Sequence, residues 1–223
     1  MVLNLVTKKS ITDVLSSSGE VDGDLLEDVM QTHSSGVRVL LAPPRPEMAE
    51  LVTIEFLKKV LIRLRATYDY VVVDTWNSFH DQVLAVLDLS DRILLLMTSE
   101  IPTIKNVKLF LEVAEALGYP PDKIVLVLNR SDSRGGISMQ DIQRSINHSI
   151  VGGIVSDGTL AISAVNRGIP FVVSHKDSQI SRNVRDLGRL LVTGMAADRP
   201  SVGQGKANPA APTKKGFFAK LFG

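Results

Sequence analysis

Three polar clusters flank apolar runs in this chain, and their side chains set the chemistry it could carry. Asp74 ends the run YDYVVVD, Asn129 and Arg130 end KIVLVLNR, and Ser156 and Asp157 open SDGTLAISAVNRGIPFVV. A carboxylate at the end of a buried strand suits a divalent cation held with water, or the cap of a loop. An asparagine amide both donates and accepts, so it can read the edge of a heterocycle or close its own turn. A Ser-Asp pair ahead of a helix-period segment places a helix N-terminus, with its unpaired N–H groups, beside them. Each cluster alone also reads as an ordinary turn or cap. Their shared position at strand ends points to one ligand face, because open α/β sheets bind ligands outside the carboxyl ends of their strands.

The elements that must position these residues show as alternating patterns. VRVLLA at 37–42, YVVVDT at 70–75, RILLLMT at 92–98, KIVLVLN at 123–129 and PFVV at 170–173 predict strands. A weaker strand is predicted at 149–155, SIVGGIV, where the glycines mark a bend or a close backbone approach. Helical period fills roughly 47–66, 78–89, 102–118, 138–146, 158–167 and 178–193. Near-continuous valine and leucine in the strands means burial on both faces, which predicts a doubly wound, mainly parallel α/β sheet. With 223 residues, 44% of them hydrophobic, the chain can bury one core of ordinary size. A single domain over 1–194 is expected, and the Ala-, Pro- and Gly-rich stretch 195–213 reads as a flexible linker.

Composition narrows the function classes. A net charge of +1 gives no global reason to bind nucleic acid, and the basic residues form no obvious patch outside the C-terminus. Zero cysteines exclude disulfides, thiolate metal sites and cysteine nucleophiles, which fits a reducing cytoplasm. No window approaches the ~18–20 apolar residues of a spanning helix, so any membrane contact is expected to be peripheral. His33, His80, His148 and His175 lack metal-ligand spacing, which predicts surface or capping roles. The sequence has no G-x-G-x-x-G string for a dinucleotide fold and no acidic pair near its first strand for receiver chemistry.

Taken together, VRVLLAPPRPEMAELVT, YDYVVVDTWNSF, LVLNRSDSRGGIS and VSDGTLAISAVNRGIP resemble the MinD/ParA family, most closely its CpaE/TadZ pilus-localisation branch. The resemblance covers about residues 3–192. It implies a P-loop NTPase-like fold that uses ATP and magnesium. By it, Asp74, with Thr75 beside it, looks like the carboxylate that holds magnesium through water. Asn129, Arg130, Ser156 and Asp157 look like the adenine-binding wall. Family members usually carry prolines after the Asp-Thr pair, whereas this chain has Trp76 and Asn77.

The family's phosphate-binding loop is missing: no G-x-x-x-x-G-K-[ST] string, nor its lysine-rich variant, occurs in the 223 residues. That loop supplies most of the charge stabilisation in phosphoryl transfer, so no catalytic residue is assigned and no ATP hydrolysis is expected from this chain alone. The family's first, central strand is expected to be missing with it, which points to an N-terminally incomplete ATPase domain. The last residues, TKKGFFAKLFG, place Phe217 with Leu221 and Phe218 with Phe222 at four-residue spacing, flanked by Lys214, Lys215 and Lys220. An apolar face with a basic flank predicts an amphipathic membrane helix over 214–223, similar to the MinD membrane-targeting sequence. The resemblance implies a homodimer on the inner leaflet of the cytoplasmic membrane, a protein activator, and a division or pilus machine to be positioned. A non-catalytic scaffold with the same anchor is the alternative, and nucleic acid is not favoured as a partner.

Overall fold

The computed structural model describes residues 3–5, 9–15 and 20–198. In chain order its elements are α1 (Gly23–Val29), β1 (Gln31–Thr32), β2 (Arg38–Val39), α2 (Pro46–Ala49), α3 (Ile54–Thr67), α4 (Asp81–Leu89) and β3 (Ile93–Met97). There follow α5 (Ile101–Ala116), β4 (Ile124–Asn129), α6 (Met139–Ile146), β5 (Ile150–Ile154), α7 (Gly158–Arg167), α8 (Phe171–Ser174) and α9 (Gln179–Asp198). They fall into two compact units, Met1–Ile93 with Asp157–Ser178, and Leu94–Ser156 with Gln179–Gly223.

In the first unit, α3 starts where the Thr53 hydroxyl accepts from the Phe56 N–H at 3.2 Å. Phe56, Val60 and Leu64 follow at four-residue spacing and bury one stripe against Val14, Leu26 and Val29. Arg65 extends from α3 to the end of α4, donating to the Leu89 carbonyl at 3.1 Å and to Asp91 at 3.0 Å. A cation there complements the unpaired carbonyls of a helix C-terminus.

His33 lies in the turn between β1 and β2, which pair antiparallel, and it is buried rather than on the surface or at a cap as expected. Its Nδ1 accepts from the Ser35 N–H at 3.1 Å, which leaves Nε2 to donate to the Gly168 carbonyl at 3.2 Å. Gly168 ends α7 with φ 64°, and an added Cβ there would overlap Asn4. The variant Gly168→Ala is therefore expected to lose at least ~1–2 kcal/mol from backbone strain alone, seen as a Tm lowered by several degrees. An unchanged melting curve would remove Asn4 and the left-handed turn from the account.

The second unit holds a three-stranded sheet in the order β3-β4-β5, with β4 central and parallel to β5. Ile124 to Leu128 are buried without interruption, as a strand covered on both faces requires. Met97, Leu126, Leu128 and Ile150 pack with Ile104 and Val107 of α5 and Ile142 and Ile146 of α6. The edge strand β3 alternates instead: Ile93 and Met97 are buried while Leu94 and Leu96 are exposed. Just before the Gly152-Gly153 pair the register shifts: Leu126 pairs with Ile150 and Val127 with Gly152, which leaves Val151 without a partner position in the ladder. A Cβ on Gly153 would lie 2.7 Å from the Ser131 Cβ, so the expected close approach occurs at Gly153, whereas a Cβ on Gly152 would meet open space.

Several expectations need correction. Residues 70–75 form no ladder among the described residues, and Val72 is 94% exposed, because β propensity becomes a strand only where a partner strand supplies the hydrogen bonds. The run at 170–173 is the one-turn helix α8: Val173 and Ser174 donate to the Pro170 carbonyl, and three apolar residues cannot separate a strand from a helical turn by period. The expected helix at 47–66 splits into α2 and α3, and only Arg38–Val39 of 37–42 pairs as a strand. Helix α9 continues to Asp198, past the boundary expected at 194. The rest of the expected linker and the amphipathic segment, Lys214 to Phe222, lie outside the described residues. Among the described residues no helix is long and apolar enough to cross a membrane.

Candidate functional site

Three strand ends, those of β3, β4 and β5, supply the polar residues of the second unit. After β4, Asn129 turns back on itself: its Oδ1 accepts from the Arg130 N–H at 3.0 Å, and Arg130 takes a left-handed φ of 52°. Asparagine closes such a turn with its side chain, which leaves the amide's NH2 group for another partner. The next residues are tied to β5. Ser131 donates its N–H to the Ile154 carbonyl at 2.9 Å, and Asp132 Oδ1 accepts from the Ser156 N–H at 2.7 Å. From the other side, Asn183 of α9 accepts from the Val155 N–H at 3.3 Å. Asn129, Arg130 and Ser156 are thus brought to one edge, as their shared position in the sequence predicts.

After β3 the chain runs through Thr98, the buried Ser99 and Glu100, which precedes α5. The Thr98 hydroxyl and the Glu100 backbone N–H hold the Glu100 carboxyl below the usual range, with Arg130 adding a smaller pull in the same direction. The Ser99 carbonyl accepts from the Ile137 N–H at 3.2 Å, and Gly136 lies so close to the Ser99 side chain that a Cβ would not fit. This joins the 130–138 loop to the end of β3. Sequence reasoning missed Glu100 and Asp132, since neither ends an apolar run. The only hint was their place one or two residues beyond such ends.

The other expected residues belong to the first unit. Asp74 and Thr75 are exposed in the stretch that forms no ladder. Four residues on, the Ser78 Oγ is buried with no hydrogen-bond partner. Asp157 caps α7 by accepting from the Leu160 N–H at 2.9 Å. Among the described residues, no three His, Cys, Asp or Glu side chains stand together as a metal site. Magnesium tolerates that, since it keeps several waters and takes one or two carboxylates together with substrate phosphates. In the second unit the Asn129 amide has the donor chemistry to meet the edge of a base, and in the first a lone exposed carboxylate, Asp74, is of the type that meets a water-held magnesium, while the glycine-lysine loop for the phosphates does not occur in the sequence. A shallow hollow at the end of α6, lined by Gln143, Arg144 and His148, includes none of these residues and brings no buried charge to its lining.

No family model matches the chain. Among curated proteins it is similar to the septum site-determining protein MinD of Thermotoga maritima, 25% identical over 178 residues. That match covers 77% of this chain and 64% of the relative, so the chain spans less than two thirds of that protein's length. Among solved structures it is similar to a ParA family ATPase from Chlorobium tepidum, with TM-score 0.77 at 20% identity over 83% of this chain and 78% of that one. It is also similar to septum site-determining MinD complexed with Mg-ADP from Pyrococcus horikoshii, with TM-score 0.72 at 20% identity, covering 89% and 80% of the two chains. The doubly wound α/β fold read from alternating strands and helices is the fold of these proteins, the MinD and ParA ATPases that this chain is similar to.

Proposed function

We propose that this chain is an ATP-dependent spatial regulator of the MinD/ParA type, which cycles on the cytoplasmic membrane face and localises a septum-site or CpaE-like pilus machine. The observation that carries this reading is the pinned edge of Asn129, Arg130 and Ser156 at the carboxyl ends of β4 and β5, where a nucleotide base can be read. In this reading residues 1–194 form the nucleotide domain, 195–213 the linker and 214–223 the membrane helix. The Asn129 amide and the backbone around Ser156 orient the adenine. Arg130 adds positive charge beside it, Asp157 caps the start of α7, and Asp74 with Thr75 would hold magnesium through water. Magnesium, when bound, would neutralise phosphate charge.

Two chains brought together by nucleotide present two membrane anchors, and the second anchor then binds at a high effective concentration. A protein activator that favours one nucleotide state would shift membrane residence by the same coupling. The sequence's lack of a glycine-lysine loop separates binding from turnover. With Mg-ATP, the 223-residue chain is expected to release phosphate no faster than buffer. Adenosine and ATP are expected to bind it with affinities within several-fold of each other, because the phosphates find no lysine cradle. Calorimetry and NMR titration check this. ATP held a hundredfold more tightly than adenosine, about 2.7 kcal/mol, with the gain lost in Asp74→Ala, would reveal a complete catalytic site. No adenine binding at all favours the second reading, a non-catalytic scaffold on the same fold, which the missing loop supports.

A further inference from the structure

We propose that Asp132 and Asn183 are positioning residues that set which base the β4–β5 edge accepts, making it selective for adenine. This rests on the base-binding reading above and adds the device that shapes the site. Beyond Ile154 the chain leaves the ladder, so the next backbone donors, at Val155 and Ser156, need partners. Each is met by a side chain from a different element: Asn183 of α9 takes the Val155 N–H at 3.3 Å, and Asp132 takes the Ser156 N–H at 2.7 Å. The second is a charge-assisted bond at short range, the stronger class.

On the opposite side, the β4 exit is fixed by the Ser131 N–H bond to Ile154 and by the Asn129 bond to Arg130. Gly153 permits the close approach, since any Cβ there would strike Ser131. Two neighbouring strand exits are thereby held at one spacing, with the Asn129 amide on one and the 155–156 backbone on the other. An adenine edge presents a donor and an acceptor side by side, whereas guanine presents them in the reverse order at the matching positions, so only a fixed spacing and polarity can tell them apart. Without Asp132 the 155–156 segment keeps its sequence but loses its fixed distance from Asn129.

The test uses the full chain, with adenosine, guanosine and inorganic tripolyphosphate as probes, and compares Asp132→Ala with Asp132→Asn. The alanine variant is expected to exchange its Ser156 amide proton at least tenfold faster while Val127, in the core of β4, keeps its protection. It should lose adenosine affinity about tenfold, and its preference for adenosine over guanosine should narrow, while Asp132→Asn, which keeps an Oδ1 acceptor, stays near the parent. Equal adenosine affinity and selectivity in Asp132→Ala, or an unchanged Ser156 exchange rate, would overturn the positioning role while leaving the base site intact. If the unmodified chain binds neither nucleoside, the base-binding reading itself fails and takes this proposal with it. Tripolyphosphate binding without nucleoside binding overturns both as well, by placing affinity at a phosphate site instead.

Discussion

Replacing Phe218 and Phe222 with glutamate is expected to abolish the vesicle binding proposed for this chain, the largest functional effect expected from any change in it. Each phenylalanine contributes about 1.5–3 kcal/mol when fully buried in an apolar phase, so losing both weakens binding by at least a hundredfold. The new carboxylates add a penalty beside the negative surface of an anionic bilayer. Lys214, Lys215 and Lys220 contribute about 1 kcal/mol each near such a surface, so binding of the parent should also fall as salt rises. Sedimentation with vesicles rich in phosphatidylglycerol measures both. The glutamate variant pelleting like the parent would sink the membrane assignment, and loss of the domain's melting transition in that variant would show the tail supports the fold instead.

The largest effect on stability is expected at Leu126. Its side chain is fully buried in β4, with Met97, Ile142 and Ile150 in the same core. Truncation to alanine removes three carbons and leaves a cavity that close-packed neighbours can only partly fill. The expected cost is about 2–5 kcal/mol, a large part of the stability of a typical domain. Leu96→Ala on β3, where the side chain is 52% exposed, serves as the comparison and should cost under about 1 kcal/mol. Urea denaturation followed by circular dichroism gives both values. Equal midpoints for the two variants would mean that β4 is not the centre of its unit's core.

How far the fold was legible depended on whether a segment carried its own evidence. β4 was legible because an unbroken apolar run ending in Asn-Arg has one good reading, α5 because of its apolar period, and α6 and α7 because period and the capping Ser138 and Asp157 agree. Residues 70–75 carry the same valine content, yet a strand is a pairwise object, and sequence composition does not supply the partner. Residues 170–173 were too short for any period to decide between strand and helix. The site followed the same division. Asn129 and Ser156 stand at strand ends and could be singled out from that position, whereas Asp132 reaches them through a bond to a backbone N–H 24 residues away, which no local pattern reveals. His33 was misread for a related reason, since its second partner, Gly168, lies 135 residues along the chain.

The unladdered stretch Tyr70 to Val73 has a practical consequence for handling this protein. Tyrosine and three valines in a row, with Tyr70, Val72 and Val73 exposed, offer backbone and side chains that another copy could adopt as a template. Such segments promote cross-β association as concentration rises. Pelleting without lipid therefore belongs to the protein's own solution behaviour, and it grows with concentration while true vesicle adsorption saturates with lipid.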